Sequence, residues 1–199
     1  MKQPALNVLD GYTAVLGGSF DPIHLGHLQI AKQILHFTGV ANILFVPNGK
    51  HHFKGNNVRL SFQERYALVQ AAIMDEPRFA ISTADVGGTG YTAHLLQKLI
   101  RENPCTQYTF VLGADNLATL PKWFDFNWLA EYVYFLVLPR PGCNLEPEIL
   151  NQLKASVLPI ELIPISSTQI RDNIAHGISI QGLVPKHLEQ HIIQLYHEL

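Results

Sequence analysis

His24 and His27 lie three residues apart in the run Gly17-Gly18-Ser19-Phe20-Asp21-Pro22-Ile23-His24-Leu25-Gly26-His27, between a short apolar segment and an amphipathic one. Imidazoles near a helix N-terminus can donate hydrogen bonds to phosphate oxygens and stabilise charge while a phosphoryl group transfers. The two leading glycines permit close backbone approach and unusual dihedrals, and a strand, glycine turn and helix in series present N–H groups to an anion at the sheet edge. Phosphate is therefore the expected guest. The chain carries ten histidines, so two surface histidines beside a capped helix is the plain alternative. The GxGxxG and GxxxxGK[ST] orders of dinucleotide and P-loop sites are absent. A zinc site on His24 and His27 lacks a nearby Cys, an HExxH pattern or a clear third ligand.

A second anion site is encoded at Ile165-Ser166-Ser167-Thr168-Gln169-Ile170-Arg171. Ser166 can cap a helix with Gln169 as its N3 partner, and the exposed first-turn N–H groups together with the guanidinium fork of Arg171 can clamp phosphate oxygens. An ordinary capped helix with a surface arginine is the competing reading. Asp115, just past an apolar run, can accept hydrogen bonds from a nucleotide or cap a helix, and Trp123 can stack on an aromatic ring or serve as core. Between Ala41 and Arg65 the bases Lys50, Lys54, Arg59 and Arg65 face only one acid, Glu64. That patch can attract a triphosphate or merely be a solvated loop.

These residues must be positioned by alternating strands and helices. Strands are expected at Tyr12 to Gly17, Ile43 to Val46, Phe79 to Ile81, Tyr108 to Leu112, Val133 to Leu138 and Ile160 to Ile163. Helices are expected from Leu28 to Leu35, from Ser61 to Met74 with a Ser61/Glu64 capping box, and over Thr92 to Ile100, Ser167 to Ala175 and Lys186 to Tyr196. Asn48 to Leu60 reads as a long exposed loop. The order predicts an α/β fold with a mostly parallel central sheet and flanking helices. One domain over residues 1–199 is expected, with the C-terminal helical segment from about 166 packed on it.

Composition narrows the function classes. With 199 residues, 47% hydrophobic and 15% charged, the chain can bury a core without metal or crosslinks. Its net charge of -2 and pI near 6.5 argue against general attraction to nucleic acid or anionic membrane. The longest apolar run, Tyr132 to Leu138, is far below the roughly 20 residues of a membrane-spanning helix. Cys105 and Cys143 suggest neither a zinc knuckle nor a disulfide scaffold, so a cytoplasmic setting is expected.

The extended run from Gly17 to His27 resembles the GG-[ST]-F-D-P-x-H-x-G-H pattern of the nucleotidyltransferase superfamily with an H-x-G-H signature, in particular the bacterial nicotinate mononucleotide adenylyltransferases. Gly113 to Trp123, the Ile165 to Arg171 run and the terminal Gly182-Leu183-Val184-Pro185 segment are similar to further motifs of that family, in the same order. The resemblance implies a Rossmann-like nucleotidyltransferase fold and adenylyl transfer from ATP to nicotinate mononucleotide in NAD biosynthesis, with Mg²⁺ accompanying ATP. It implies that Gly17, Gly18, Ser19 and Phe20 contact ATP, and that His24, His27 and Arg171 act in catalysis on its phosphates. Ser166, Ser167 and Lys54 would complete the ATP site. Tyr91, Thr92, Asp115 and Trp123 would bind the mononucleotide, the Tyr-Thr pair at a helix start recognising the nicotinate carboxylate. A monomer or homodimer is expected, without nucleic-acid or membrane partners.

Three residues depart from the family pattern: Gly90 replaces the usual Ser, His94 the usual acid or amide, and Phe53 the usual His. They leave open a nicotinamide mononucleotide or dual acceptor, while phosphopantetheine, another acceptor in the superfamily, goes with enzymes lacking Trp123 and the long loop. A catalytically silent nucleotide-binding regulator is the alternative outside enzymology.

Overall fold

The computed structural model describes residues 7–49 and 58–198. Six strands form one sheet in the order β3-β2-β1-β4-β5-β6. They are β1 Thr13–Gly18, β2 Asn42–Pro47, β3 Phe79–Ile81, β4 Tyr108–Gly113, β5 Tyr134–Leu138 and β6 Lys154–Val157. All neighbouring pairs run parallel. The chain winds outward from β1 through β2 to β3, then returns to place β4 on the other side of β1. The sheet thus reverses its winding between β1 and β4, where parallel α/β sheets open a crevice at their carboxyl ends.

Strand periodicity sorts the core into two layers. Ala14, Leu16, Ile43, Phe45, Val111, Leu136 and Leu138 point to one face, and Val15, Val46, Phe110, Leu112, Phe135 and Val137 to the other. The first layer is closed by α1 (Leu25–Phe37), α2 (Phe62–Ile73), α6 (Ser167–Ala175) and α7 (Glu189–His197), through residues such as Ile34, Leu68, Ile170 and Ile192. The second is closed by α3 (Thr92–Glu102) and α4 (Phe126–Tyr132) together with a run of 3-10 turns over Ala114–Lys122. Burial on both faces explains why β1, β4 and β5 read as near-continuous apolar runs.

Several expectations shift. Ile160 to Ile163 is not a strand; the sixth strand is Lys154–Val157, whose lysine and serine and short length hide an edge position from hydropathy. The last helical segment divides into a 3-10 turn over Lys186–Leu188 and α7, while α4 and the short α5 (Pro147–Leu150) were not expected. The Ser61/Glu64 capping box forms in both directions, at 3.3 Å for Glu64 N to Ser61 Oγ and 2.6 Å for Ser61 N to Glu64 Oε2.

Arg65 is no member of an exposed basic patch. It is 3% exposed, and its guanidinium donates to the carbonyls of Leu60 (3.2 Å), Ser19 (2.7 Å) and Asn48 (2.9 Å). It pins the start of α2 to the ends of β1 and β2, and burial lowers its pKa. Truncation would strip three main-chain acceptors of one charged donor. Arg65→Ala should therefore cost about 3 kcal/mol or more in urea unfolding, against the smaller loss typical of surface substitutions.

Candidate active site

The C-terminal end of β1 builds the first wall. Gly17 and Gly18 do not take unusual dihedrals; both lie in the strand, in register with Val46 and Pro47. The positive φ falls on Phe20, at 50°. Space explains Gly18 instead. A Cβ on Gly18 would stand 3.1 Å from the Phe20 ring, whereas one on Gly17 would make ordinary contact with Asn48 and Phe110 at 3.8–3.9 Å. Phe20 holds its left-handed backbone through a ring only 1% exposed, packed on Phe45 and edge-on to His27 at 4.9 Å. Ser19 gives its carbonyl to Arg65.

His24 occupies the N-cap position of α1 with extended backbone, and its N–H donates to His27 Nδ1 at 3.3 Å. That bond makes Nδ1 of His27 an acceptor and puts the proton of the neutral ring on Nε2. The two imidazoles stack with centroids 3.7 Å apart and planes 24° off parallel. Gly26 is required by this stack, because a Cβ there would come within 2.9 Å of His24 Nδ1 and 3.0 Å of Cε1. His24 is 6% exposed, and its buried Nδ1 has no hydrogen-bond partner among the described residues. Burial lowers its pKa from 6.5 to about 4, so the free protein holds a neutral imidazole at pH 7. An orphaned polar nitrogen at the head of a helix is a place for a ligand.

The second wall is the start of α6. Ser166 Oγ accepts from Gln169 N at 3.1 Å, as the sequence suggests. The hydroxyl of Ser167 donates to Pro22 O at 2.9 Å, and Arg171 Nη1 donates to Asp21 O at 2.7 Å, with Nη2 on Thr168 Oγ1 at 3.2 Å. Two side chains expected on phosphate thus tie α6 to the histidine-bearing turn. The first-turn N–H groups of Ser167 and Thr168 lie where a helix has no preceding carbonyl to bond.

Sequence reasoning missed the residue that joins these parts. Asp21, 2% exposed, accepts from Arg59 N (2.9 Å) and Leu60 N (3.0 Å) and from the Tyr196 hydroxyl (2.8 Å), and its Oδ2 lies 3.6 Å from Arg171 Nη1. Only the Asp-Pro pair inside the signature hints at it, and nothing in the sequence names its partners.

The remaining residues gather at the end of β4 and the start of α3. Tyr91 is the N-cap of α3 and Thr92 its first residue. Tyr91 stacks on Phe124 at 4.9 Å, and His94, bonded to Thr89 Oγ1 at 2.7 Å, completes an aromatic group against Phe124 at 4.5 Å. Trp123 packs half-buried on the second core layer, and the exposed Asp115 pairs with Arg140 at 3.2 Å rather than capping a helix. Lys50, His51, His52, Phe53 and Lys54 lie outside the described residues. No three described His, Cys, Asp or Glu side chains form a metal cluster. A cavity of about 350 Å³ between the 84–89 loop and the face of α3 bearing Lys98 and Arg101 includes none of His24, His27 and Arg171.

Residues 15–173 match the family model described as cytidylyltransferase-like. A protein of Herpetosiphon aurantiacus named probable nicotinate-nucleotide adenylyltransferase is 33% identical, over 90% of this chain and 94% of its own length. A Synechococcus protein of the same name is 35% identical, over 91% and 94%. Among solved structures, Plasmodium falciparum nicotinic acid mononucleotide adenylyltransferase complexed with NaAD superposes with a TM-score of 0.80 at 20% identity, over 94% of this chain and 98% of that one. At that identity the superposition speaks for the fold.

The depressed pKa of His24 has a sign that unfolding can read. The unfolded imidazole takes up a proton as pH falls through 6.5 while the native one stays neutral to about 4, so stability drops across that window. A shift of that size corresponds to about 3 kcal/mol at most. Urea midpoints at pH 7 and pH 4.5 should fall further for the wild type than for His24→Asn, which carries no titrating ring.

Proposed function

The chain belongs to the cytidylyltransferase-like family of nucleotidyltransferases, and from that premise we propose that it transfers AMP from ATP to nicotinate mononucleotide, releasing pyrophosphate, as a cytoplasmic step of NAD biosynthesis. The observation that carries the reading is the junction of two phosphate-directed helix starts: the stacked His24/His27 pair heads α1, and Ser167 and Arg171 of α6 bond to the same turn.

In this reaction an oxygen of the mononucleotide phosphate attacks the α-phosphorus. A new P–O bond forms, the bond to the bridging oxygen of the β-phosphate breaks, and the electron pair leaves with pyrophosphate. The nucleophile is already anionic, so no activated Ser or Cys is needed, and catalysis consists of alignment and charge neutralisation. The strand end at Gly17 and Gly18, continuing through Ser19 and Phe20, takes the nucleotide. His24 and His27 meet the reacting phosphates, and an approaching polyanion opposes the desolvation that keeps His24 neutral. The first-turn amides of Ser167 and Thr168, the Ser166-capped helix start, Arg171 and Lys54 hold the leaving pyrophosphate. Mg²⁺ enters with ATP as part of the substrate, held by phosphate oxygens and water. Asp21 is engaged by protein donors, and Asp115 by Arg140.

On the acceptor side, the start of α3 at Tyr91 and Thr92 favours an acid over an amide through the helix dipole. Trp123 supplies a ring face for the pyridine, and Asp115 acceptors for the mononucleotide.

A coupled pyrophosphate assay with ATP and Mg²⁺ tests the assignment. Turnover with nicotinate mononucleotide should exceed that with nicotinamide mononucleotide or phosphopantetheine, and equal or reversed rates would refute the acceptor. His24→Ala should lower kcat by about 100-fold or more while leaving the circular dichroism spectrum unchanged, the loss typical when one charge-stabilising donor is removed.

A further inference from the structure

We propose that Tyr196 of α7 is a positioning residue for adenylyl transfer: by holding Oδ1 of Asp21, its phenol keeps Arg171 from collapsing onto that carboxylate and so keeps the guanidinium available to the triphosphate. The proposal rests on the reading that Arg171 meets ATP phosphates.

The bonding of Asp21 carries the argument. Its Oδ1 has two donors, Leu60 N at 3.0 Å and the Tyr196 hydroxyl at 2.8 Å. Its Oδ2 has Arg59 N at 2.9 Å, with Arg171 Nη1 standing off at 3.6 Å. Arg171 is thus anchored to the main-chain carbonyl of Asp21 and to Thr168 but is not hydrogen-bonded to the carboxylate. A charge that is 2% exposed cannot turn to water when a donor is withdrawn.

The donors able to answer such a loss are few. The Arg59 and Leu60 amides already bond to Asp21, and Arg65 is held by three carbonyls. Arg171, on a side chain 19% exposed and 3.6 Å from Oδ2, is the cation within reach. Without the phenol the carboxylate draws Arg171 from an ion pair at 3.6 Å into a hydrogen-bonded one, the stronger form of contact, and away from the phosphates. Burial and the neighbouring Asp21 charge push the Tyr196 pKa upward, so the phenol stays a donor throughout the working pH range.

Calorimetric titration of wild-type protein with Mg·ATP, alongside steady-state kinetics, tests the proposal. Tyr196→Phe should raise the Kd and KM for ATP by about fivefold or more, the effect of weakening one charged phosphate contact. In an Arg171→Ala background the same change should leave ATP affinity unaltered. A role confined to stability predicts a lower Tm with an unchanged KM, and that result, or an equal loss with and without Arg171, overturns the proposal. If Tyr196→Phe does not fold, 3-fluorotyrosine at position 196 keeps ring and hydroxyl and strengthens the donor. It should lower the Kd for ATP, and an unchanged or higher value overturns the proposal. Wild-type protein that binds ATP but releases no pyrophosphate with any mononucleotide refutes the proposed reaction while the calorimetry still decides the role of Tyr196.

Discussion

A buried carboxylate is tolerable only when the chain surrounds it with donors, and Asp21 recruits them from two distant stretches, the residues before α2 and the last helix, with the guanidinium of α6 at 3.6 Å. Satisfying that one charge brings together segments up to 175 positions apart in sequence. The turn after β1 is fixed from below by the Phe20 ring in the core and from the side by Arg65, while Ser167 and Arg171 close it from α6. The histidine pair inherits its geometry from this clasp. An imidazole kept out of water needs a rigid backbone beneath it, since a mobile turn would let it resolvate.

The division of labour follows from sheet topology. Because winding reverses between β1 and β4, the loops leaving those two strands diverge, and each can carry a different recognition task. Polar groups collect after β1 and at the start of α6. Aromatic groups, namely Tyr91, His94, Phe124 and Trp123, collect after β4 and at the start of α3.

Sequence reasoning reached the elements whose signals are local. The strand before Gly17, the Ser61/Glu64 and Ser166 caps and the Ser167–Ala175 helix are written in spacing and side-chain type, and they stand where the residues put them. It could not reach features that depend on long-range partners. Arg65 resembles any loop-adjacent base until its three carbonyls are seen, and Asp21 and Tyr196 gain meaning only from each other. Ser167 and Arg171 stand out in the sequence, yet part of their bonding serves the turn itself, which no motif reveals. The sixth strand was misplaced because four half-exposed residues at a sheet edge carry almost no hydrophobic alternation.

That same edge bears on how the molecule behaves in a crowd. A fully parallel sheet ends in two rows of unpaired peptide groups, a standing invitation to other strands. Here one border strand has three residues and the other four, and the longer begins with Lys154, whose ammonium group reaches back to the carbonyl of Glu131. Borders this brief offer an incoming strand too little ladder to repay its ordering, so the sheet can keep an apolar interior of six strands and resist templated self-association.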